Sequence, residues 1–228
     1  MNFCRARQSK AALAYRVAMN AAQRERSALV DTLRAVGPDA PTLCTGWKTR
    51  DLAAHLVVRE RRLDATPGIA IPFLAGYTAK VQNQTARSTS WDDLVEMVAS
   101  GPPVYSPFKL FDAVANLGEM FIHHEDVRRA AGPDCGWQPR VLDTSTVAAL
   151  RRQLGLLSRM TLAKLPAQVS LQTTDGHRIA RVGRGDAVTV TGEPPELVLF
   201  AAGRDAALVE FDGDSQAVAA VRAAPRGL

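Results

Sequence analysis

Cysteine is scarce in this 228-residue chain, and the three present, Cys4, Cys44 and Cys135, share no CxxC spacing. An odd count so arranged excludes a disulfide framework and fits a reducing compartment such as the cytoplasm. Long apolar runs are missing as well. Leu197–Ala202 is about the longest, against the roughly 18 residues that a membrane span requires. Acidic residues are absent from the first 18 positions, which hold Arg5, Arg7, Lys10 and Arg16. That arm accounts for most of the net charge of +5 and leaves the remainder near neutrality. A phosphate-binding footprint clusters on one face of a folded unit, and no helix-turn-helix or zinc-finger spacing occurs, so nucleic-acid binding is set aside. The arm also lacks the apolar core of a secretory signal, and Met19 opens a more ordinary helix, so a start-site artefact is one reading of residues 1–18. No internal repeat or low-complexity segment is present.

What remains is an ordinary globular composition, 46% hydrophobic and 22% charged, long enough for one or two domains with a proper core. Helical periodicity runs from Ala11 to Val36, stopped by Gly37-Pro38. After a loop over Asp39–Lys48, Thr49 is expected to cap a helix over Arg50–Ala65, with Asp51 in its first turn. Ile69–Ala86 reads as partly helical, and Ser90-Trp91-Asp92-Asp93 resembles an acidic capping box opening a helix to Ser100. A loop marked by Gly101-Pro102-Pro103 and Pro107 precedes a helix over Leu110–Ala130, and Thr144–Leu165 is a further amphipathic helix. The pattern then changes. Val169–Thr173 and His177–Val182 alternate around an Asp175-Gly176 turn, and Ala187–Thr191 reads as a third strand. A short helix from Pro194-Pro195, a strand over Ala207–Phe211 and a helix over Asp214–Ala224 complete the chain. The expectation is a helical unit over residues 19–140, followed by a small α+β unit over residues 141–228.

The residues able to carry chemistry concentrate in Glu119-Met-Phe-Ile-His123-His124-Glu125-Asp126. Glu119 and His123 are four apart and project from one helix face, and Asp126 continues that row. His55 lies on the Leu52/Leu56 face of its own helix, the side turned to a bundle core. Packed face to face, the two helices would bring two imidazoles and a carboxylate together, a donor set for a divalent ion such as zinc with one position left open. Each piece has a plainer reading. A histidine on an apolar face is more often a hydrogen-bonded core residue, an i,i+4 Glu–His pair is also a surface contact, and Asp126 could simply pair with Arg128 or Arg129. His124 and Glu125 face elsewhere and are expected at the surface. Cys44 has no base paired with it in sequence and reads as a small buried hydrophobe, Trp47 as packing, and His177 as an exposed hairpin residue.

The run Cys44-Thr-Gly-Trp-Lys-Thr-Arg-Asp-Leu-Ala-Ala-His55, followed by Glu119-Met-Phe-Ile-His123-His-Glu-Asp126, resembles an actinobacterial metal-binding family. That family lies within the DinB-like, mycothiol-dependent maleylpyruvate isomerase superfamily. The resemblance covers most of residues 19–225, and Val188–Arg204 (VTVTGEPPELVLFAAGR) is similar to the isomerases' C-terminal, sterol-carrier-like unit. It implies a DinB-like four-helix bundle and His55, Glu119 and His123 as ligands of a divalent metal, zinc foremost, with nickel, iron or manganese as alternatives. Asp126 would orient an imidazole. Arg59 and Arg62 could take an anionic group of thiol or substrate, although solvated surface arginines are the plainer reading. The implied chemistry is a metal-activated low-molecular-weight thiol, typically mycothiol, attacking a small electrophile in a transferase or isomerase reaction. Non-catalytic metal or thiol sensing, and small-ligand carriage by the C-terminal unit, stand beside it. The expected partners are small molecules, with no nucleic acid or membrane, for a monomer or homodimer in the cytoplasm.

Overall fold

The computed structural model describes residues 20–69, 71–106, 112–132 and 136–227. The basic arm, Cys4, Cys135 and the start of the helix expected from Leu110 lie outside the described residues. Helix α1 (Ala21–Val36) opens on Asn20, whose side chain accepts from the Gln23 amide at 2.9 Å while Gln23 Oε1 accepts from the Asn20 amide at 3.0 Å. That reciprocal capping box satisfies two amides that a helix start would leave open.

Helix α2 (Thr49–Arg61) departs from expectation at both ends. Thr49 is its first residue, not its cap; its hydroxyl donates to the Gly37 carbonyl at 2.6 Å, tying α2 to the end of α1. Asp51 accepts from the Lys48 amide instead, at 2.9 Å. The helix stops at Arg61 and not Ala65, because the Thr66 hydroxyl turns back to the Arg59 and Arg62 carbonyls at 3.1 and 2.9 Å. Two short 3₁₀ turns, Thr66–Ile69 and Pro72–Leu74, lead into α3 (Ala75–Ser88). Helix α4 (Trp91–Ser100) is capped by Ser90, which accepts from the Asp93 amide at 3.1 Å. Asp93 takes the Ser90 hydroxyl at 2.6 Å and does not reach the Ser90 amide, so only half of the box forms.

Helix α5 (Asp112–Arg128) packs along α1, while α2 packs against α3 and α4. The interior of this bundle holds Leu29, Leu33, Leu52, Leu56, Leu94 and Met120. Helix α6 (Thr144–Thr161), capped by Asp143, leads to the C-terminal unit. There β1 (Gln168–Gln172) lies between β2 (Arg178–Val182), antiparallel to it, and β3 (Ala187–Thr191), parallel to it. Strand β4 (Glu210–Gly213) closes the sheet antiparallel to β3, in the order β2-β1-β3-β4. This last strand starts later than its apolar pattern suggests. The Leu208 amide is held by Glu196 of α7 (Pro194–Ala201) at 2.8 Å, and the Ala207 amide turns back to the Arg204 carbonyl at 3.2 Å, so the backbone amides of residues 207 and 208 are used outside the sheet. Helix α8 (Ser215–Ala223) follows.

One continuous core joins Val169, Leu171, Val188 and Val190 of the sheet to Leu150 and Leu154 of α6 and Phe121 of α5. It is reinforced by buried charge. Arg129 bridges Glu125 at 2.7 Å and Glu196 at 2.7 and 2.8 Å, and Arg140 reaches both Glu25 and Glu125 at 2.6 Å. Helical bundle followed by a small four-stranded α+β unit is the architecture expected from the sequence. No helix among the described residues is long and apolar enough to cross a membrane.

Candidate metal centre

Helix α2 places His55 opposite Glu119 and His123 of α5. The Nε2 atoms of His55 and His123 each lie 3.3 Å from the same Glu119 oxygen, Oε1. Donors about 2.0–2.1 Å from a tetrahedral ion stand roughly 3.3–3.4 Å apart, so both imidazoles are already spaced from the carboxylate as neighbouring corners of a coordination sphere, and all three donors lie within 4.8 Å of one another. The two rings meet edge to face, with centroids 5.3 Å apart, and Trp47 covers His55 from 5.1 Å.

Both imidazoles are oriented through their other nitrogen. His123 Nδ1 lies 2.9 Å from Asp126 Oδ2, and His55 Nδ1 lies 3.3 Å from Gln82 Oε1. An acceptor at Nδ1 can keep a ring proton there when an ion displaces the Nε2 proton that now faces Glu119, which gives the tautomer a metal requires. Asp126 is in turn anchored from the C-terminal unit. Arg204 donates to its Oδ1 at 2.8 Å and its Oδ2 at 2.7 Å, and Cys44 Sγ donates to Oδ2 at 3.2 Å.

Electrostatics favour a carboxylate in the donor set. Burial opposes ionisation of Glu119, but hydrogen bonds with His123 and His55 and the nearby Arg59 charge outweigh it and hold the group well below the usual carboxylate range. Burial likewise opposes charge on Asp126, and the Arg204 and His123 contacts push it down. With no ion between the donors, His123 is raised well above the ordinary imidazole value: burial works against its charge, and Asp126, Cys44 and Glu119 overcome it. Two neutral imidazoles and one carboxylate suit a divalent ion, and the residues present fit one.

The centre opens onto a cleft of ≈ 630 Å³ whose walls include Cys44, Trp47 and Leu157 and, from the C-terminal unit, Arg204 and Arg226. His55, Glu119 and His123 thus come together as the spacing anticipated, with Asp126 directly behind. Other expectations fail. Arg59 is no surface residue: it is buried, donates to Asn116 at 2.6 Å and stands 3.5 Å from Glu119. Arg62 is half-exposed, bound to Asp64 at 2.8 and 2.9 Å, and does not line the cleft. Asp126 pairs with Arg204 rather than with Arg128 or Arg129, which serve Glu125. His124 and Glu125 are buried, not exposed, because α5 is enclosed on several sides: His124 meets Thr32 at 2.8 Å and Glu25 at 2.9 Å. Cys44 belongs to the cleft wall and is only partly buried.

Residues 19–88 match the family described as the mycothiol maleylpyruvate isomerase N-terminal domain. That segment carries His55 but neither Glu119 nor His123. Among solved structures, a histidine-to-alanine mutant of the mycothiol-dependent maleylpyruvate isomerase aligns at TM-score 0.55 and 16% identity, covering 84% of this chain and 90% of that one. The fold is that of the mycothiol-dependent maleylpyruvate isomerase. A second structure of this isomerase aligns over the same shares at TM-score 0.48. No curated protein matches the sequence. The resemblance to that isomerase is borne out over residues 19–88, which hold the first histidine-bearing run, and the fold of a helical bundle followed by a small α+β part is borne out by the structural alignment.

Proposed function

We propose that this protein is a metal-dependent thiol transferase or isomerase that uses mycothiol or a similar small thiol against a small electrophile, in the cytoplasm. His55, Glu119 and His123 would hold one divalent ion, most simply zinc. The observation that carries this reading is the 3.3 Å spacing of both Nε2 atoms from Glu119 Oε1, with both Nδ1 atoms already pinned. Such an ion, when bound, stabilises the thiolate form of a thiol whose free pKa is near 8.5.

The remaining chemistry belongs to the chain's own groups. Glu119 contributes the only negative charge among the three donors, so the centre keeps a net positive charge that favours an anionic sulfur. Asp126 and Gln82 hold the imidazoles in register, which limits reorganisation when ligands exchange. Trp47, packed on His55, shields one side of the centre from water. The cleft has room for a small thiol and its substrate together, and Arg204 and Arg226 place guanidinium groups along its C-terminal wall. Carboxylate-bearing electrophiles, of which maleylpyruvate is the one named for the structural relative, are therefore the first class to try.

The test is calorimetric titration of mycothiol into zinc-loaded and metal-free protein, followed by turnover assays with maleylpyruvate and related unsaturated carboxylates. Metal-dependent binding with thiol-dependent consumption of an electrophile supports the reading. Saturable binding with no turnover would favour a thiol sensor, and ligand binding indifferent to His55 and Glu119 would favour a carrier.

A further inference from the structure

His123 offers two faces, and only one is used by the centre above. Its Nδ1 side looks into a second group of donors, Asp126 Oδ2 at 2.9 Å and Cys44 Sγ, which itself stands 3.2 Å from the same Asp126 oxygen. All three donor atoms lie within 4.8 Å of one another. For a tetrahedral ion with sulfur near 2.3 Å and nitrogen or oxygen near 2.0 Å, the corners stand roughly 3.3–3.5 Å apart. The two separations from Asp126 Oδ2, 2.9 and 3.2 Å, lie within a few tenths of an ångström of that. A thiolate and a carboxylate also match the charge of a divalent ion, and the sulfur biases the set towards soft metals in a way that His55 and Glu119 do not.

We propose that Cys44, His123 and Asp126 form a second cation site, selective for thiophilic ions, which competes with the His55–Glu119–His123 centre. Its corner is now capped by Arg204, whose guanidinium holds Asp126 at 2.7 Å and stands 3.7 Å from Cys44 Sγ. An entering ion takes Asp126 from Arg204, so one cation replaces another. Bonding through Nδ1 releases the Nδ1 proton of His123 and the Cys44 thiol proton to solvent and leaves the ring's other proton on Nε2, where Glu119 at 3.3 Å accepts it. His123 then has no lone pair for the first centre. Filling the sulfur-bearing site thereby disables the other, an inhibitory consequence that rests on the function proposed above, whereas the site itself does not.

Cadmium is the probe, because thiolate-to-cadmium charge transfer gives an absorption band that nitrogen and oxygen donors do not. Full-length protein carrying Cys4→Ser and Cys135→Ser is titrated with Cd²⁺, alone and with Cys44→Ser or His55→Ala added. The expected result is a saturable band that Cys44→Ser abolishes, with Cd²⁺ affinity falling more than about tenfold, and that His55→Ala leaves intact. Absence of the band in the parent, its persistence in Cys44→Ser, or its loss in His55→Ala would each overturn the proposal. The His55→Ala arm keeps this test separate from the first centre, since failure of that centre leaves the band in place. Thermal melts of Cys44→Ser and Cys44→Ala confirm that the variants compared are folded.

Discussion

Replacing Asp126 by Asn probes how the two halves of the molecule cooperate at the centre. The Asp126 side chain is fully enclosed and accepts from His123 Nδ1 at 2.9 Å and from Arg204 at 2.7 and 2.8 Å. The substitution preserves shape and removes charge. Carboxylates that orient a metal-binding imidazole typically contribute 10–100-fold to metal affinity, about 1.4–2.7 kcal/mol. Asp126→Asn should therefore weaken zinc by one to two orders of magnitude. It also leaves the Arg204 guanidinium without its counter-charge at a site mostly shielded from water, which should cost about 2 kcal/mol of folding stability. Zinc affinity is read by competition with a chromophoric chelator at 25 °C, and stability by urea unfolding. Asp143→Asn, the same charge change at the α6 cap, serves as the control; because Asn caps as well as Asp and only the half-exposed Arg24 pair is lost, it should lose no more than about 0.5 kcal/mol of stability and leave zinc affinity unchanged. Zinc affinity within twofold of the parent in folded Asp126→Asn would refute the orienting role.

Stability predictions follow from the charge network between the two units. Arg129→Met strands Glu196 in the interior and takes one of three arginines from Glu125, an effect of about 3–5 kcal/mol, and for a chain of this size calorimetry should show Tm lower by roughly 6–20 °C. Acid should loosen the same region. Burial works against ionisation of Glu25 and Glu125, yet hydrogen bonds and charge from His124, Arg140, Arg128 and Arg129 lower both below the ordinary value. The unfolded chain then binds more protons, so their contribution is complete above about pH 4.5 and is lost as pH falls through the lowered folded values. Urea midpoints measured between pH 7 and pH 3 should fall mainly below pH 4.5, and Arg140→Met should flatten that slope.

Much of this was legible in the sequence for reasons that are local. Glu119 and His123 share a helix face by spacing alone, and the Leu52/Leu56 face turned His55 inward. The alternation of Val169–Thr173 and Val188–Val190 announced strands because one face of each is buried. What escaped was decided by tertiary contact. His124 and Glu125 look like surface residues on a single amphipathic helix, but α1, Arg140 and the C-terminal unit enclose α5 from several sides. Arg204 stands 78 positions from Asp126, and its only signal was that it ends the run resembling the isomerases' C-terminal unit. Cys44 sat inside the quoted motif, yet nothing local to it revealed Asp126 and His123 across the cleft. Strand β4 starts late because Glu196 captures the Leu208 amide, a side-chain contact that periodicity cannot register.

Metal content decides the central claim. The untagged protein and a His55→Ala variant are compared by inductively coupled plasma mass spectrometry after zinc loading and exhaustive dialysis. One divalent ion per chain in the parent, lost in the variant, is the predicted result. A parent that retains no zinc, nickel, iron or manganese, or a variant that retains as much as the parent, would contradict it and return His55, Glu119 and His123 to the role of buried hydrogen-bonding residues.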